Sequence, residues 1–385
     1  MRYTMACTAV LASLGPIGQA AAQGTDVHLG VNGFGTWAAG ITNNNNVFLF
    51  GRQNGDAGYM NVGLHIDAAV NRQLRVVVQL NAEIDGRGQP TNVALDLGFA
   101  EWRVSDALQL RAGFVKNPFG IYTEIVDIGT VRPFLLLPQS VYGPAGFVAD
   151  GYKGLGITGH ADVGRSWGVS YDAYVGEFDI SAQGAPVDFF VLPPGQALGG
   201  DEILSTKNVI GGRVVMQTPI DGLSIGGSGY TGSFVAIVPG DTTAPQRSVV
   251  AGQVEYLTDR WSVRSEAVYG WGRIEEGVQT AIDGEYIEVG YRLTPHWQLA
   301  GLFDRQQTQL KSIDASAAPS LLHHEDWAGG INYWFSPNFV LKLSDHIVNG
   351  NGFALPNVFV LRQVVAAGNL RAHTNLLQFG SQFSF

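Results

Sequence analysis

Alternation of apolar and polar residues is the feature that most limits what this chain can fold into. From Tyr59 to Val70 the even positions are apolar, and most positions between them are polar or glycine. This period of two is typical of a β-strand with one apolar and one polar face. The pattern recurs along the chain and predicts sixteen strands, at 26–38, 59–70, 73–85, 93–104, 107–115, 153–163, 166–178, 206–218, 222–235, 246–258, 261–273, 281–293, 296–310, 325–336, 338–349 and 371–385.

The connections between these segments are of two kinds, which alternate strictly. Tight turns rich in Asp, Gly or Pro are predicted at 71–72, 105–106, 164–165, 219–221, 259–260, 294–295 and 336–337. Longer connections lie between them, notably at 39–58, 116–152, 179–205, 311–324 and 350–370. An even number of strands with short turns at one end and long loops at the other is typical of an outer-membrane β-barrel.

A soluble β-sandwich is the competing fold, because its strands also alternate. Its strands average about five or six residues, however, and the segments here are longer, with a polar face rich in Arg, Glu, Gln and Asn. Aromatic residues also lie near strand ends on the apolar face, as in the girdles that anchor a barrel in a membrane. They are Trp102, Trp167, Trp261, Trp271, Tyr291, Trp297, Trp327, Tyr333, Phe335 and Phe339. We therefore predict an all-β transmembrane antiparallel barrel of about sixteen strands.

The amino terminus has the three regions of a secretory signal peptide. Arg2 precedes an apolar run from Met5 to Leu14, and small residues follow at 20–22. We expect cleavage after Ala22, with 1–22 as the signal peptide and 23–385 as a single barrel domain. Cys7, the only cysteine, lies in that peptide, so the mature chain has no thiol for a disulfide, a metal site or a nucleophile.

Charge and hydropathy exclude two further classes. The chain carries 23 basic against 33 acidic residues, a net charge of −10, which argues against nucleic acid as a partner. No apolar run after the signal peptide approaches the ~18 residues that a membrane helix needs. A helical membrane protein is therefore excluded.

The final segment, 371–385, alternates to the last residue and ends in Phe385. A terminal aromatic in this position resembles the signal by which the outer-membrane assembly machinery recognises its substrates. With the signal peptide, it predicts the outer membrane of a Gram-negative bacterium.

The sixteen-strand pattern resembles the general porins over the whole mature chain. The passage from Leu108 to Gly120, LQLRAGFVKNPFG, also resembles the strand and loop entry of the phosphate-selective porins of the O and P type. The general resemblance implies a third long loop folded into the barrel, here 116–152, and a homotrimer. It also implies contact with membrane lipid and lipopolysaccharide, and passage of small hydrophilic solutes.

The composition of the loop at 116–152 supports a packed position independently. Exposed to water it would present a large apolar surface, and its prolines lower the entropy lost on ordering. The alternative is a lid or a subunit contact outside the pore. The apolar residues concerned are Phe119, Ile121, Tyr122, Phe134, Leu135, Leu136, Leu137, Val141, Tyr142 and Phe147.

The face opposite the apolar one predicts which charges line a channel. The basic residues are Arg75, Arg111, Arg213, Arg264, Arg292 and Lys342, and the acidic ones are Glu83, Asp85, Asp172, Glu255, Glu266 and Glu288. The loop and its ends add Lys116, Glu124, Asp127, Arg132, Asp150 and Lys153. A change of phase predicts a bulge near Ala100, which leaves the direction of Glu101 and Arg103 open. For each charge the alternative is a solvated wall position or a structural ion pair.

No catalytic motif, cofactor site or metal site is predicted. The run from His323 to Asp326 could bind a metal at the barrel mouth, but adjacent histidines on a strand point to opposite faces. A barrel enzyme needs a catalytic rim that the sequence does not identify, and a structural barrel would carry a plug or an external domain. These observations favour a passive diffusion porin.

Selectivity is where the subfamily resemblance and the residues disagree. Phosphate-selective porins use lysines heavily in their constriction, whereas this chain has five lysines in all. We therefore expect a general or weakly selective pore. The anion- or phosphate-selective alternative requires Arg111, Lys116, Arg132 and Lys153 to converge.

Overall fold

The structure is a computed structural model. It describes residues 27–49, 51–84, 93–143, 148–164, 166–181, 188–191, 203–234, 246–273, 278–311, 313–355 and 360–385. The predicted signal peptide and the predicted channel residue Asp85 lie outside these ranges, as does Phe147 of the loop.

All sixteen predicted strands are confirmed. Their bounds are β1 (His28–Thr42), β2 (Asp56–Ala69), β3 (Leu74–Ile84), β4 (Ala94–Ser105), β5 (Leu108–Lys116), β6 (Gly151–Val163), β7 (Trp167–Ser181), β8 (Ile203–Gln217), β9 (Leu223–Phe234), β10 (Gln246–Leu257), β11 (Trp261–Arg273), β12 (Gln279–Arg292), β13 (Trp297–Leu310), β14 (His323–Ser336), β15 (Phe339–Gly350) and β16 (His373–Ser384).

The sheet closes on itself into a single antiparallel barrel. Each strand pairs with its neighbours in sequence, and β1 pairs with β16 from Phe34 opposite Ser384 to Thr42 opposite Leu376. Closure leaves no unpaired edge, which is the condition for a sheet to exist in hydrocarbon, where backbone groups find no water.

The two faces of the wall confirm the predicted alternation. On β16 the side chains of Leu377, Phe379 and Phe383 are exposed, whereas Gln378 and Gln382 are fully buried. A wall that exposes apolar residues and buries polar ones suits a lipid exterior. We call the exposed apolar side the outer face and the other side the inner face.

The predicted aromatic girdle lies on the outer face. Its tryptophans are all exposed, and near the short turns two of them pack against tyrosines of the girdle. Trp261 contacts Tyr291 with ring centroids 4.5 Å apart, and Trp297 contacts Tyr333 at 4.8 Å. These contacts form a band of rings at the turn end of the barrel.

Helical structure in the described ranges is confined to the long connections. Three short helices are α1 (Gln139–Tyr142), α2 (Asp188–Val191) and α3 (Leu361–Ala366), with 3-10 turns at Thr123–Ile125, Gly129–Val131 and Pro319–Leu322. None of the helices in these ranges has the length and apolarity to cross a membrane.

The predicted bulge in β4 lies elsewhere than expected. The register against β3 shifts between Leu95 and Leu97, not near Ala100. Leu95 is therefore exposed and Leu97 is buried. After the shift the alternation runs unbroken to Glu101, whose side chain lies on the inner face, while Arg103 is exposed and contacts Asp106 in the next turn.

Two paired glycines bring β6 and β7 unusually close. Gly154 lies opposite Gly176, and a Cβ on Gly154 would stand 2.1 Å from the Val175 carbonyl oxygen. We expect Gly154→Ala to cost about 1–3 kcal/mol, the usual penalty of overpacking. The purified barrel should then unfold at a lower temperature in a heated semi-native gel.

The matched control is Gly301→Ala on β13, where a Cβ would meet no heavy atom within 4 Å. Its unfolding temperature should equal that of the wild type. Equal behaviour of the two variants would contradict a close approach of β6 and β7.

Candidate functional site

The loop between β5 and β6, residues 117–150, contacts the inner face on many sides of the ring. Its entry is an ion cluster in which Lys116 Nζ lies 3.0 Å from Asp96 Oδ2 and 2.9 Å from Asp127 Oδ2. Gln79 on β3 donates through Nε2 to the same two carboxylates. Lys116 and Asp127, both predicted site residues, thus tie the loop to β3 and β4.

Apolar side chains of the loop are buried against the far strands. Phe119, Tyr122, Phe134 and Val141 are almost fully buried. They belong to one cluster with inward side chains of β7 to β13, namely Tyr174, Phe178, Val209, Tyr230, Val249, Val268, Tyr286 and Leu302. The cluster therefore occupies much of the interior on this side of the barrel.

Carboxylates of β11 and β13 accept hydrogen bonds from the loop backbone. Glu266 Oε1 accepts from Ile121 N at 3.0 Å. Asp304 Oδ2 accepts from Gln139 N at 2.6 Å, and both of its oxygens accept from Ser140 N at 3.2 Å. Buried backbone N–H groups need such partners, since leaving one unpaired costs about 1–3 kcal/mol. These acids hold the loop.

Two tyrosine hydroxyls of the loop add to this attachment. Tyr142 donates to Glu266, which also accepts from Tyr286 Oη at 2.6 Å. Tyr122 donates to Glu288. Burial first, and then the nearby carboxylate, raises the pKa of Tyr122 and of Tyr142 well above the usual value. Both hydroxyls therefore remain protonated donors.

Lys342 on β15 binds the loop through its backbone. Its side chain is 1% exposed, and Nζ donates to the carbonyl oxygens of Gly129 at 2.8 Å, of Arg132 and of Phe134, and to Gln382 Oε1. A buried amine surrounded by oxygen acceptors has hydrogen-bond partners for its N–H groups. The predicted channel residue Lys342 is thus a clamp on the loop.

On β2 to β8, several inner-face charges keep part of their surface accessible. Arg75 is 40% exposed at its side chain and lies 3.0 Å from both Asp67 and Glu101. Arg111, 18% exposed, bonds Glu101 at 2.8 Å. Glu101 is therefore shared by two of the predicted arginines.

The loop acid Glu124 faces the same part of the wall. Glu124 pairs with Arg213, which also bonds Asp172 at 3.0 Å. Glu124 also lies 3.9 Å from Arg111. Glu124 of the loop is thus in direct contact with a base of the wall at β8 and lies near another at β5.

Arg264 and Glu255 form another inner-face pair, with Nε 2.6 Å from Oε2. Arg264 also donates to Tyr122 Oη and to the Val131 carbonyl oxygen. Its role is therefore to hold the loop.

Four other predicted residues are placed as follows. Glu83 lies on the inner face opposite Asn61. Arg132 donates to the Val126 carbonyl oxygen at 2.8 Å, and the Asp150 carbonyl oxygen accepts from Asn117 N at 3.0 Å. Arg292 lies with its guanidinium 4.8 Å from the centre of the Trp334 ring.

The structure corrects the prediction for Lys153. It shares the outer face of β6 with the exposed Leu155 and Ile157, and it pairs with Asp179 at 2.7 Å. The strand begins at Gly151, so Lys153 follows the alternation of the strand and not the path of the loop. The convergence of Arg111, Lys116, Arg132 and Lys153 therefore does not occur.

Sequence reasoning missed Asp96, Asp304 and Tyr122 as partners of the site. The alternation on β13 could have identified Asp304, because it shares a face with Gln298 and Leu302. Asp96 was hidden by the displaced bulge. No local pattern indicates that Tyr122 meets Glu288, since the two are far apart in sequence.

The run from His323 to Asp326 is the start of β14 rather than a loop. His324 faces inward and lies 3.4 Å from Asp304, whereas His323 contacts Gln307. Within the described ranges no group of three or more His, Cys, Asp or Glu could hold a metal ion.

Comparison with solved structures establishes the fold. An anion-selective porin from Comamonas acidovorans matches with a TM-score of 0.56 and 11% identity, over 94% of this chain and 100% of that one. The outer membrane channel DcaP of Acinetobacter baumannii matches with a TM-score of 0.58 and 10% identity, over 93% and 97%. The trimer form of OmpT, an outer membrane protein of Vibrio cholerae, matches at 0.58 and 9%, over 93% and 99%.

The fold is that of a porin barrel. At these identities the likeness is one of fold alone. No protein-family model and no curated protein matches the sequence.

Loss of the Lys342 amine should loosen the loop. Lys342→Met keeps most of the length of the side chain but leaves the carbonyl oxygens of Gly129, Arg132 and Phe134 without their donor. Since an unsatisfied buried acceptor costs about 1–3 kcal/mol, we expect a lower unfolding temperature and noisier single-channel current.

Lys153→Met is the matched control, because Lys153 lies on the outer face and its side chain is 49% exposed. Its unfolding temperature and current noise should remain those of the wild type. If Lys342→Met had the same unfolding temperature and current noise as this control, Lys342 would not hold the loop in place.

Proposed function

We propose that this chain is an outer-membrane porin through which small hydrophilic solutes and ions diffuse passively. The single observation that carries the proposal is a closed sixteen-strand barrel with an apolar outer face, whose third long loop is bonded to the inner face. A barrel of this size leaves an aqueous lumen unless something fills it. The loop is the element that narrows it.

The path of solutes, on this proposal, runs along the wall of β2 to β8. There Arg75 keeps 40% of its side chain exposed and Glu124 of the loop keeps 34%. The opposite half is occupied by the buried cluster of loop and strand side chains. Solutes therefore pass between a wall with arginines and a loop edge with acids, where a transverse field screens them by charge and dipole.

Weak selectivity is supported by the pairing of the accessible charges. Arg75, Arg111 and Arg213 each have a carboxylate within 4 Å, as does Lys116. A paired cation attracts a passing anion less than a free one does. A general pore is therefore better supported than an anion- or phosphate-selective one. The observation that favours the anion- or phosphate-selective pore is the exposure of Arg75.

Three further parts of the proposal concern the setting. The chain is exported by a signal peptide at 1–22, resides in the outer membrane in contact with lipid and lipopolysaccharide, and forms a homotrimer. The exposed apolar outer face supports a location in the membrane. The trimer form of OmpT, which shares the fold, supports the homotrimer.

Conductance in a planar bilayer tests the function. Insertion of the purified protein should raise the current in steps, with three conductance steps for each inserted trimer. The reversal potential in a salt gradient should stay near zero. Millimolar phosphate should leave the chloride current unchanged. Absence of steps would contradict the pore, and a phosphate block relieved by Arg111→Ala would replace the general pore by the anion-selective one.

Removal of the loop acid Glu124 should shift selectivity toward anions. A unit charge about 4 Å away contributes roughly 1 kcal/mol in water, so Glu124→Gln should raise the anion-to-cation permeability ratio about two- to five-fold. The reversal potential in a salt gradient measures that ratio.

The matched control is Glu285→Gln, whose side chain is 54% exposed and pairs with Arg305. Glu285 is not on the inner face of β12, so its loss should leave the reversal potential unchanged. A shift of equal size in both variants would contradict a constriction at Glu124.

A further inference from the structure

A cavity lies at the turn end of the barrel. Its volume is about 240 Å³, and it lies between loop residues 130–133, the turn from Leu257 to Ser262, and the inward side chains Arg292, Gln298 and Trp334. This is smaller than the pockets that hold drug-sized molecules, roughly 300–1,000 Å³. It suits a small molecule of a few heavy atoms.

Three arginines line this cavity, against one acid. They are Arg132 of the loop, Arg260 of the turn between β10 and β11, and Arg292 at the end of β12, and the acid is the exposed Asp259. In the described ranges, no carboxylate lies within ion-pair distance of Arg132 or Arg292. Arg292 therefore has no ion-pair partner in these ranges, whereas Asp127 and Glu288 lie near enough to the buried Arg132 to interact with its charge.

Arg264, on the neighbouring strand β11, shows that inner-face arginines do not generally lack an ion-pair partner. Arg264 pairs with Glu255 at 2.6 Å and reaches Glu288 at 3.8 Å. Arg292 instead lies over the Trp334 ring, with its guanidinium 4.8 Å from the ring centre. A stacked guanidinium keeps its N–H edge free to bind in its own plane.

Arg132 also has donor capacity to spare. One of its terminal nitrogens donates to the Val126 carbonyl oxygen, whereas its Nε is buried and has no hydrogen-bond partner.

The rest of the lining is apolar. Val131, Pro133, Leu257 and Trp261 line the same space. An inorganic anion would meet the arginines but would leave these side chains without a partner. A ligand with a charged head and a compact apolar body would contact both.

We propose that this cavity binds a small organic carboxylate. The carboxylate lies between Arg132 and Arg292, since guanidinium groups match carboxylate geometry with two parallel hydrogen bonds. The apolar body packs on Val131 and Leu257. The proposal goes beyond the diffusion pore and does not depend on it, because binding at this cavity requires no passage of solute.

Calorimetric titration of the full-length barrel in detergent tests the proposal, with benzoate as the probe. Benzamide, which has the same ring without the charge, and inorganic phosphate, which has the charge without the ring, are titrated in parallel. Benzoate should bind in the millimolar range or tighter, and both comparison compounds at least about tenfold more weakly. Benzamide lacks the charge-assisted hydrogen bond, and phosphate lacks the burial of an apolar ring.

Variants then locate the site. Arg292→Gln should weaken benzoate binding about tenfold or more, and Arg292→Lys should restore part of it. Arg260→Gln, in an exposed turn that cannot disturb folding, should weaken it two- to threefold, an effect roughly that of one solvated charge. Arg305→Gln, on an exposed pair with Glu285, should change nothing.

Each remaining outcome overturns the proposal. No heat with benzoate in the folded barrel excludes the site. Equal binding of benzamide leaves an apolar cavity without a role for the arginines, and equal binding of phosphate leaves an oxyanion site without a role for the apolar lining. Equal effects of Arg292→Gln and Arg305→Gln place binding elsewhere. Stepwise conductance is measured separately, so it can persist when this site fails.

Discussion

The structure depends on the need of every backbone N–H and C=O in hydrocarbon for a hydrogen-bond partner inside the protein. An open sheet would leave a row of these groups at each edge, so pairing of β1 with β16 is what permits the barrel to exist. Closure also separates an outer face from an inner one. The outer face is apolar because lipid surrounds it, and the inner face can carry charge because lipid never reaches it.

A closed barrel of sixteen strands has more interior than its own side chains can fill. Here the loop between β5 and β6 occupies much of that space, and it does so as irregular backbone with many polar groups of its own. The inner wall supplies hydrogen-bond partners for these groups: acceptors for the N–H groups of the loop and donors for its carbonyl oxygens. Glu266 and Asp304 accept from its N–H groups, and Lys342 donates to its carbonyl oxygens.

The charges of the inner face therefore have two distinct roles, which composition cannot separate. One set, including Glu288, Arg264 and Lys342, is buried and holds the loop. The other set, around Arg75, Arg111 and Glu124, keeps part of its surface exposed and faces the space that the loop leaves. At the turn end a third arrangement appears, in which Arg292 lies over the Trp334 ring and forms no ion pair with an acid of the described ranges.

The sequence by itself determined the strands, their order and the face on which most side chains lie. It could do so because a period of two reports the environment of each residue locally: Phe379 and Gln378 alternate whatever the rest of the chain does. The same rule failed at β4, where a single bulge reversed the faces and hid Asp96, and it was not applied at Lys153, which belongs to a strand and not to the loop. Only the tertiary structure decided which strand residues meet the loop. Tyr122 and Glu288, or Gly129 and Lys342, are far apart in sequence, and barrel closure together with the path of the loop brings them together.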